Sequence, residues 1–271
     1  MITGSAVKKN SLVIATYNWK EALALVLATV RAQTVLPDEV LIADDGSRDD
    51  TRELVAREAA AFPVPLRHFW QEDDGFRKSR ILNEAMARAT GDYLIEIDGD
   101  MMLHPEFVRS HLRAARGGWY VQGSRMMLGE AATARTLATK KLAAGVFSRD
   151  VRNRINGVHA PVLSRFSRGE PGPIHRTRGC NISYWRDDIL RVNGYNEDMK
   201  GWGREDTELI ARLMNSGVRR RNLKFAAVSY HLHHRAREKN ADAANLALAL
   251  QVVRDGVTRC DHGIDQHLTT A

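Results

Sequence analysis

"YLIEIDGDMML", Tyr93 to Leu103, alternates apolar side chains along a strand and then ends it in two carboxylates around a glycine. Two like charges closing a buried strand cost free energy unless a positive group stands between them. A hard cation such as Mg2+ or Mn2+ is the partner that carboxylate oxygen favours, and magnesium-like ions are held by one or two carboxylates plus substrate phosphates. Alternation sends Asp98 and Asp100 to one side, and Gly99 lets the backbone come close. The same three residues also fit a plain turn, since Asp-Gly is a common one.

Outward from this stretch, the first half of the chain alternates strand-like and helix-like segments. Ser11–Tyr17, Glu39–Ala43, Leu66–Trp70 and Asp92–Ile97 read as strands, with helical periodicity between them over Trp19–Gln33, Asp50–Ala61 and Lys78–Ala89. That order predicts right-handed β-α-β units. The fold class is α/β, a Rossmann-like, mainly parallel sheet with flanking helices. Asp49 or Asp50 is placed to cap the second helix, and Pro37, Pro63 and Pro65 fall at boundaries. Beyond Leu128 the pattern loosens into a basic helical and loop insertion over 129–178, its mobile part in "SRGEPGPIHRTRG". Strands return at Cys180–Arg186 and Lys224–His231. A final amphipathic helix, about Ala241 to Val253, sets Leu246, Leu250 and Val253 on one face.

Composition narrows the class. With 44% hydrophobic and 27% charged residues, the 271-residue chain suits an ordinary globular protein with one large domain. Cys180 and Cys260 lack metal-ligand spacing and fit a reducing compartment better than a disulfide scaffold. The longest apolar run, Ala22 to Val30, falls short of the roughly 20 residues a membrane span needs. Leu12 to Ala15 is too short for a signal core, so the expected location is cytoplasmic. The net charge is +7, and ten Lys or Arg against Asp150 and Glu170 lie between Thr133 and Arg178. Such a segment attracts phosphates, anionic lipid or nucleic acid, or is simply a solvated face. Its only aromatics are Phe147 and Phe166. The stacking signature of a single-strand binder is absent, and nucleic acid is not an expected partner.

In parallel sheets ligands bind beyond the carboxyl ends of the strands. Three polar clusters sit at those ends: "TYN" (Thr16–Asn18), "DDGS" (Asp44–Ser47) and "DGD" (Asp98–Asp100). The Asp44 and Asp45 carboxylates can accept hydrogen bonds from ribose or base, or cap a helix. In "DDGFRKSRILNEA" (Asp73–Ala85), Arg77, Lys78 and Arg80 open a helix whose N-terminus already favours anions. In "NEDMKGWGREDTEL" (Asn196–Leu209), Glu205 and Asp206 begin a helix after a Gly-Trp-Gly turn. A carboxylate there can act as general base, or merely favour the helix dipole. "YHLHH" (Tyr230–His234) ends a strand in histidines, which suggests a metal ligand.

Taken in order, TYN, DDGS, "GFRKSRILNEA", DGD, "GWGRED" and the strand-terminal histidine resemble family 2 glycosyltransferases of GT-A fold. Within these, the C-terminal half is similar to galactosyltransferases and bacterial chondroitin-type polymerase domains. The resemblance covers roughly Ser11 to His234. It implies an inverting transferase that moves a hexosyl or N-acetylhexosaminyl group. The donor would be a nucleotide-diphosphate sugar, most often a UDP-sugar, with Mn2+ or Mg2+. The acceptor would be a saccharide or lipid-linked saccharide, in bacterial surface polysaccharide synthesis. Thr16, Tyr17, Asn18, Asp44, Asp45, Arg77, Arg80 and Asp98 would serve the nucleotide and donor sugar. Asp100 would hold the metal with His231, which ends its strand, or with His233, which alternation puts on the same side. Asp206 would be the catalytic base, Glu205 would orient the acceptor, and Trp202 would form its platform.

The resemblance also divides the single catalytic domain into parts. Residues 1–128 would form the nucleotide-sugar half, 129–178 the insertion, 179–238 the acceptor and catalytic half, and 239–271 a C-terminal helix. The insertion fits a lid over the pyrophosphate, and equally a peripheral contact with anionic membrane. Two other classes stay open on sequence. A metal-dependent nucleotidyltransferase would also use paired aspartates, releasing pyrophosphate. A basic binding protein would show salt-sensitive binding without turnover.

Overall fold

The computed structural model of the protein describes residues 6–164, 166, 174, 177–234 and 242–268. Most of the expected mobile loop lies outside the described residues. The chain opens with β1 (Asn10–Thr16), α1 (Lys20–Arg31), β2 (Glu39–Asp44), α2 (Asp49–Ala59), β3 (Leu66–Trp70), α3 (Lys78–Ala87) and β4 (Tyr93–Asp98). There follow β5 (Met101–Leu103), α4 (Phe107–Ala114), β6 (Trp119–Gln122), β7 (Ser124–Leu128), α5 (Glu130–Thr139), β8 (Val151–Arg152) and α6 (Pro161–Ser164). The last part holds β9 (Asn181–Trp185), α7 (Arg186–Arg191), α8 (Glu205–Asn215), β10 (Arg219–Asn222), β11 (Val228–His231) and α9 (Asp242–Asp255).

A seven-stranded sheet runs β10-β6-β9-β4-β1-β2-β3, and a four-stranded one runs β5-β11-β7-β8. The first four strands in sequence pair parallel, with Val13 opposite Leu41 and Glu96. β9 breaks the pattern by pairing antiparallel with β4 and β6. β1 is buried along its whole length because both faces are covered. Leu12 and Ile14 pack with Leu23, Val26 and Leu27 of α1, while Val13 and Ala15 pack with Ile81 and Leu82 of α3. Each fully buried Leu, Ile or Val of this kind contributes about 1.5–3 kcal/mol.

The structure departs from several expectations. Neither Asp49 nor Asp50 caps α2, since the helix begins at Asp49 and Arg48 stands at its N-cap. Asp50 pairs with Lys20 at 2.9 Å instead. The strand expected over Lys224–His231 covers only Val228–His231, because Phe225 and Ala227 take positive φ and cannot continue a ladder. On α9 the buried residues are Asn245, Ala249 and Val252, while Leu250 and Val253 face outward at 40% and 41% exposure. Asn245 fixes this rotation by donating to the carbonyls of Gly203 and Lys200.

Two buried polar tethers fix the C-terminal half. Arg212 is fully buried, pairs with Glu208 one turn earlier at 2.7 Å, and donates to the carbonyls of Val192 and Gly194. Such a pair is worth keeping only with its extra hydrogen bonds filled, as here, and it locks α8 in place. Asn181 at the start of β9 donates to the carbonyls of Ser124 and Ala227 and accepts from buried His111, tying the two sheets together.

Candidate active site

Beyond the carboxyl ends of β1, β2 and β4 lies a cavity of about 370 Å³, lined by Thr16, Tyr17, Asn18, Asp45, Lys78, Asp98, Asp100, Trp202 and His234. Close backbone contact builds its floor. A side chain at Gly99 would meet Thr16 Oγ1 at 3.0 Å and the Ala15 carbonyl at 3.1 Å, so any larger residue would push these neighbours outward. Gly46, at φ +94°, lies within 2.6 Å of the Asp73 backbone by the same measure. These two approaches bring the DGD and DDGS turns against their neighbours.

The two carboxylates that close β4 do not share one counter-charge. Asp98 meets the ammonium of Lys78 at 2.7 Å. Burial pushes the Asp98 carboxyl up, but Lys78 outweighs it and holds the group below its usual range. Burial likewise opposes the Lys78 charge, yet Asp98, Glu96 and Glu205 together raise its pKa above the ordinary lysine value. Asp100 has no such ammonium. Burial and the Asp98 charge push it up to about 7.

Opposite Asp100 stand His231 and His234, with nitrogens 3.5 Å and 3.3 Å from its Oδ2. One ligand atom from each of the three lies within 4.8 Å of the others. Burial, with Arg125 nearby, pushes His231 down to about 3, so its imidazole is neutral and suited to ligate. Among the described residues, Asp100 Oδ1 and His231 Nδ1 are buried without a hydrogen-bond partner. Unfilled polar atoms around a carboxylate with a raised pKa are what a divalent cation would satisfy. The residues fit the ion. A carboxylate with two imidazoles suits Mn2+ better than Mg2+, which prefers an all-oxygen shell.

Around Lys78 from Asp98 lie Glu205 and Asp206, in the first turn of α8. Arg204 precedes them in the left-handed region at φ 74° and is anchored by two bonds to Asp242 of α9. Asp206 Oδ2 accepts the Gly179 N–H at 2.7 Å, and Oδ1 accepts from the Thr207 hydroxyl at 3.2 Å. Burial raises the Asp206 pKa against these bonds and against Lys78. Glu205, pushed up to about 7 by burial and by Asp206, has a buried Oε2 without a partner among the described residues. Behind them Glu96 is wholly buried, bonded to the hydroxyls of Tyr184 and Tyr195 and pushed up to about 7 by burial. Such a cluster of perturbed carboxyls beside one cation is characteristic of catalytic sites.

The structure brings Thr16, Tyr17, Asn18, Asp45, Asp98, Asp100 and Trp202 to one cavity, and His231 to its edge beside Asp100. Three residues expected at the nucleotide lie elsewhere. Asp44 is fully buried, with one oxygen on the Ser47 N–H and the other 2.9 Å from His68, so it shapes the turn. The Arg77 guanidinium turns to the Glu72 carbonyl and Asp74. That of Arg80 turns to Gln71. His233, offered as the alternative ligand, is outside the trio. β11 stops at His231, so strand alternation no longer applies and His234 takes the place beside Asp100. Sequence reasoning also passed over Lys78 as a site residue, although it stands in the basic run that opens α3.

Residues 11–168, more than half of the chain, match the family model "Glycosyl transferase family 2". The chain belongs to glycosyl transferase family 2. Residues 164–235 match a second model, "N-terminal domain of galactosyltransferase". Among curated relatives, chondroitin synthase of Escherichia coli is 26% identical over 91% of this chain and 38% of its own length. Validoxylamine A glucosyltransferase of Streptomyces hygroscopicus subsp. limoneus is 27% identical over 77% of this chain and 48% of its own. The chain thus spans half or less of these relatives. The fold is shared with a mannosyltransferase from Pyrobaculum calidifontis, solved in complex with GDP-Man and Mn2+. The TM-score is 0.59 at 17% identity, over 96% of this chain and 72% of that one. It is GT-A, as the motifs implied. Among the described residues no helix is long and apolar enough to cross a membrane.

Proposed function

We propose that this family 2 glycosyltransferase is an inverting, metal-dependent enzyme that transfers a hexosyl or N-acetylhexosaminyl group. The donor is a UDP-sugar, the acceptor a hydroxyl of a saccharide or lipid-linked saccharide, and the setting polysaccharide synthesis. One observation carries this reading. The trio Asp100, His231 and His234 and the carboxyl pair Glu205–Asp206 both lie within electrostatic reach of the same Asp98–Lys78 ion pair. Asp100, His231 and His234 would hold the ion. When bound, it would neutralise charge on the leaving diphosphate.

The chain's own residues account for the remaining steps. Thr16, Tyr17, Asn18 and Asp45 receive the nucleotide, and Asp98 with Lys78 faces the donor sugar. Trp202 supplies an aromatic face for the acceptor, and Glu205 Oε2 orients its hydroxyl. Asp206 takes the hydroxyl proton as that oxygen bonds to the anomeric carbon from the face opposite the diphosphate. The bond to the diphosphate oxygen breaks with its electron pair, and nucleoside diphosphate departs. Incubation with a panel of UDP-, GDP- and dTDP-sugars and Mn2+, with and without EDTA, tests the reading. Metal-dependent release of UDP from one sugar is the expected result. Release of pyrophosphate would instead indicate nucleotidyl transfer.

The insertion supports peripheral contact with anionic membrane. Phe147 is 95% exposed next to exposed Arg149 and to Arg154, whose guanidinium bonds to the Val146 and Arg149 carbonyls, and Val162, Leu163 and Phe166 are exposed further along the insertion. Apolar side chains set between cations suit an anionic lipid surface. Co-sedimentation with phosphatidylglycerol vesicles, lost in Phe147→Asp, is the expected outcome. Equal sedimentation with neutral vesicles would dismiss the contact.

A further inference from the structure

Across the start of β9 from the donor cavity lies a second cavity of about 440 Å³, between the β6–β7 turn, β9 and β10. Arg125, Arg178, Arg220 and Lys224 border it, and no carboxylate does among the described residues. Arg125 faces Cys180 and shares its charge with Asp98 and Asp100. The other three have no ion-pair partner among the described residues.

Arg220 is the anomaly. It is only 8% exposed and lies beside the Tyr120 hydroxyl, yet among the described residues its Nε and Nη1 and that hydroxyl complete no hydrogen bond of normal geometry. Its neighbours on β10 are provided for. Arg219 lies over the Trp119 ring, and Arg221 donates to the Ala114 carbonyl at 3.0 Å. The Ser124 hydroxyl, also on the cavity, is buried and unpartnered too. Burying a guanidinium with N–H groups unfilled is costly, and a bound anion would remove the cost by charge-assisted hydrogen bonds.

The cavity's position says which substrate would carry the anion. Arg178 is pinned to the sheet through Gln122, which accepts its N–H at 3.3 Å and donates to its carbonyl at 2.9 Å. The next residue, Gly179, donates to Asp206. The cationic wall therefore begins beside the carboxyl pair, on the side away from Thr16 and Asp45.

We propose that this cavity is an acceptor subsite for an anionic group, a carboxylate or a phosphate, carried by the saccharide whose hydroxyl is presented to Asp206. It rests on the reading of Glu205 and Asp206 as the acceptor end of the site. Calorimetric titration at low salt tests it with three probes: a uronate-containing oligosaccharide, its carboxyl-reduced neutral counterpart, and a sugar phosphate. The expected result is that one anionic probe binds about 10–100-fold tighter than the neutral one. Whichever does so, carboxylate or phosphate, names the source. That preference should collapse in Arg220→Gln and in the surface double variant Arg178→Gln/Lys224→Gln, whose exposed positions leave folding intact. Equal binding of all three probes, or a preference that survives the double variant, overturns the proposal. UDP with Mn2+, titrated into the unaltered protein, reports separately on the donor cavity. Its failure to bind would count against the glycosyltransferase site and leave the anion preference standing.

Discussion

Asp206→Asn is expected to lower kcat by about 10²–10⁴-fold, the usual worth of a positioned general base. The amide has the same size, and its carbonyl oxygen can still accept the Gly179 N–H that fixes the carboxylate at 2.7 Å. What it cannot do is take a proton. UDP affinity in the presence of Mn2+ should change little, because the proposed nucleotide end of the site is around Thr16 and Asp45, and neither Glu205 nor Asp206 lines that cavity. Near-normal kcat in a variant with an unaltered melting curve would remove Asp206 from the role. Glu205→Gln should act differently, raising acceptor KM more than it lowers kcat, since its Oε2, buried and without a partner among the described residues, is suited to orienting a hydroxyl.

The same pair sets the direction of the pH dependence. Burial raises both carboxyls, Glu205 to about 7, so each keeps its proton at a pH where an ordinary carboxyl has lost it. A base must be deprotonated, so kcat should climb with pH along an acid limb well above the usual carboxylate range. That limb belongs to the pair and not to one residue. A flat profile from about pH 5 to 8 would show that neither carboxyl acts as base in the rate-limiting step.

How far the sequence reached depends on which physical signal each element carries. β1, β2 and β4 were legible because buried parallel strands are largely apolar runs, and the helices between have one apolar face; β3, the half-buried edge strand LRHFW, showed through its place after the Pro63 and Pro65 boundary. β10 was not. Its four residues, Arg219 to Asn222, pair through main chain with β6, and two of its arginines find partners off the strand. No alternation marks such an edge. At the site, turn glycines and acids gave the cavity away, but the phase of a helix start did not. Arg77, Lys78 and Arg80 look equivalent in sequence, and only folding decides that Lys78 turns inward to Asp98 while the others bond to the Glu72–Asp74 segment and Gln71. The two carboxylates at the end of β4 thus have different counterparts, an ammonium for Asp98 and an imidazole-lined gap for Asp100.

That gap makes the second large effect specific. Chelation by EDTA should reduce nucleoside diphosphate release to background, and Asp100→Ala should weaken Mn2+ binding by about 10²-fold or more, since even outer-shell changes at metal sites cost about 10–100-fold. The histidines provide the sharper discrimination. His234→Ala should weaken Mn2+ binding nearly as much as His231→Ala, because both nitrogens face Asp100 Oδ2 within 3.5 Å. His233→Ala should bind normally, since what that residue contributes is its backbone N–H to Thr133, which alanine retains. Manganese titration followed by electron paramagnetic resonance reads all three without requiring turnover. Loss in His233→Ala with retention in His234→Ala would mean that strand alternation continues past His231 in the metal-bound protein. The chain after β11 would then have to shift by one residue, breaking the Thr133 bond as the ion enters.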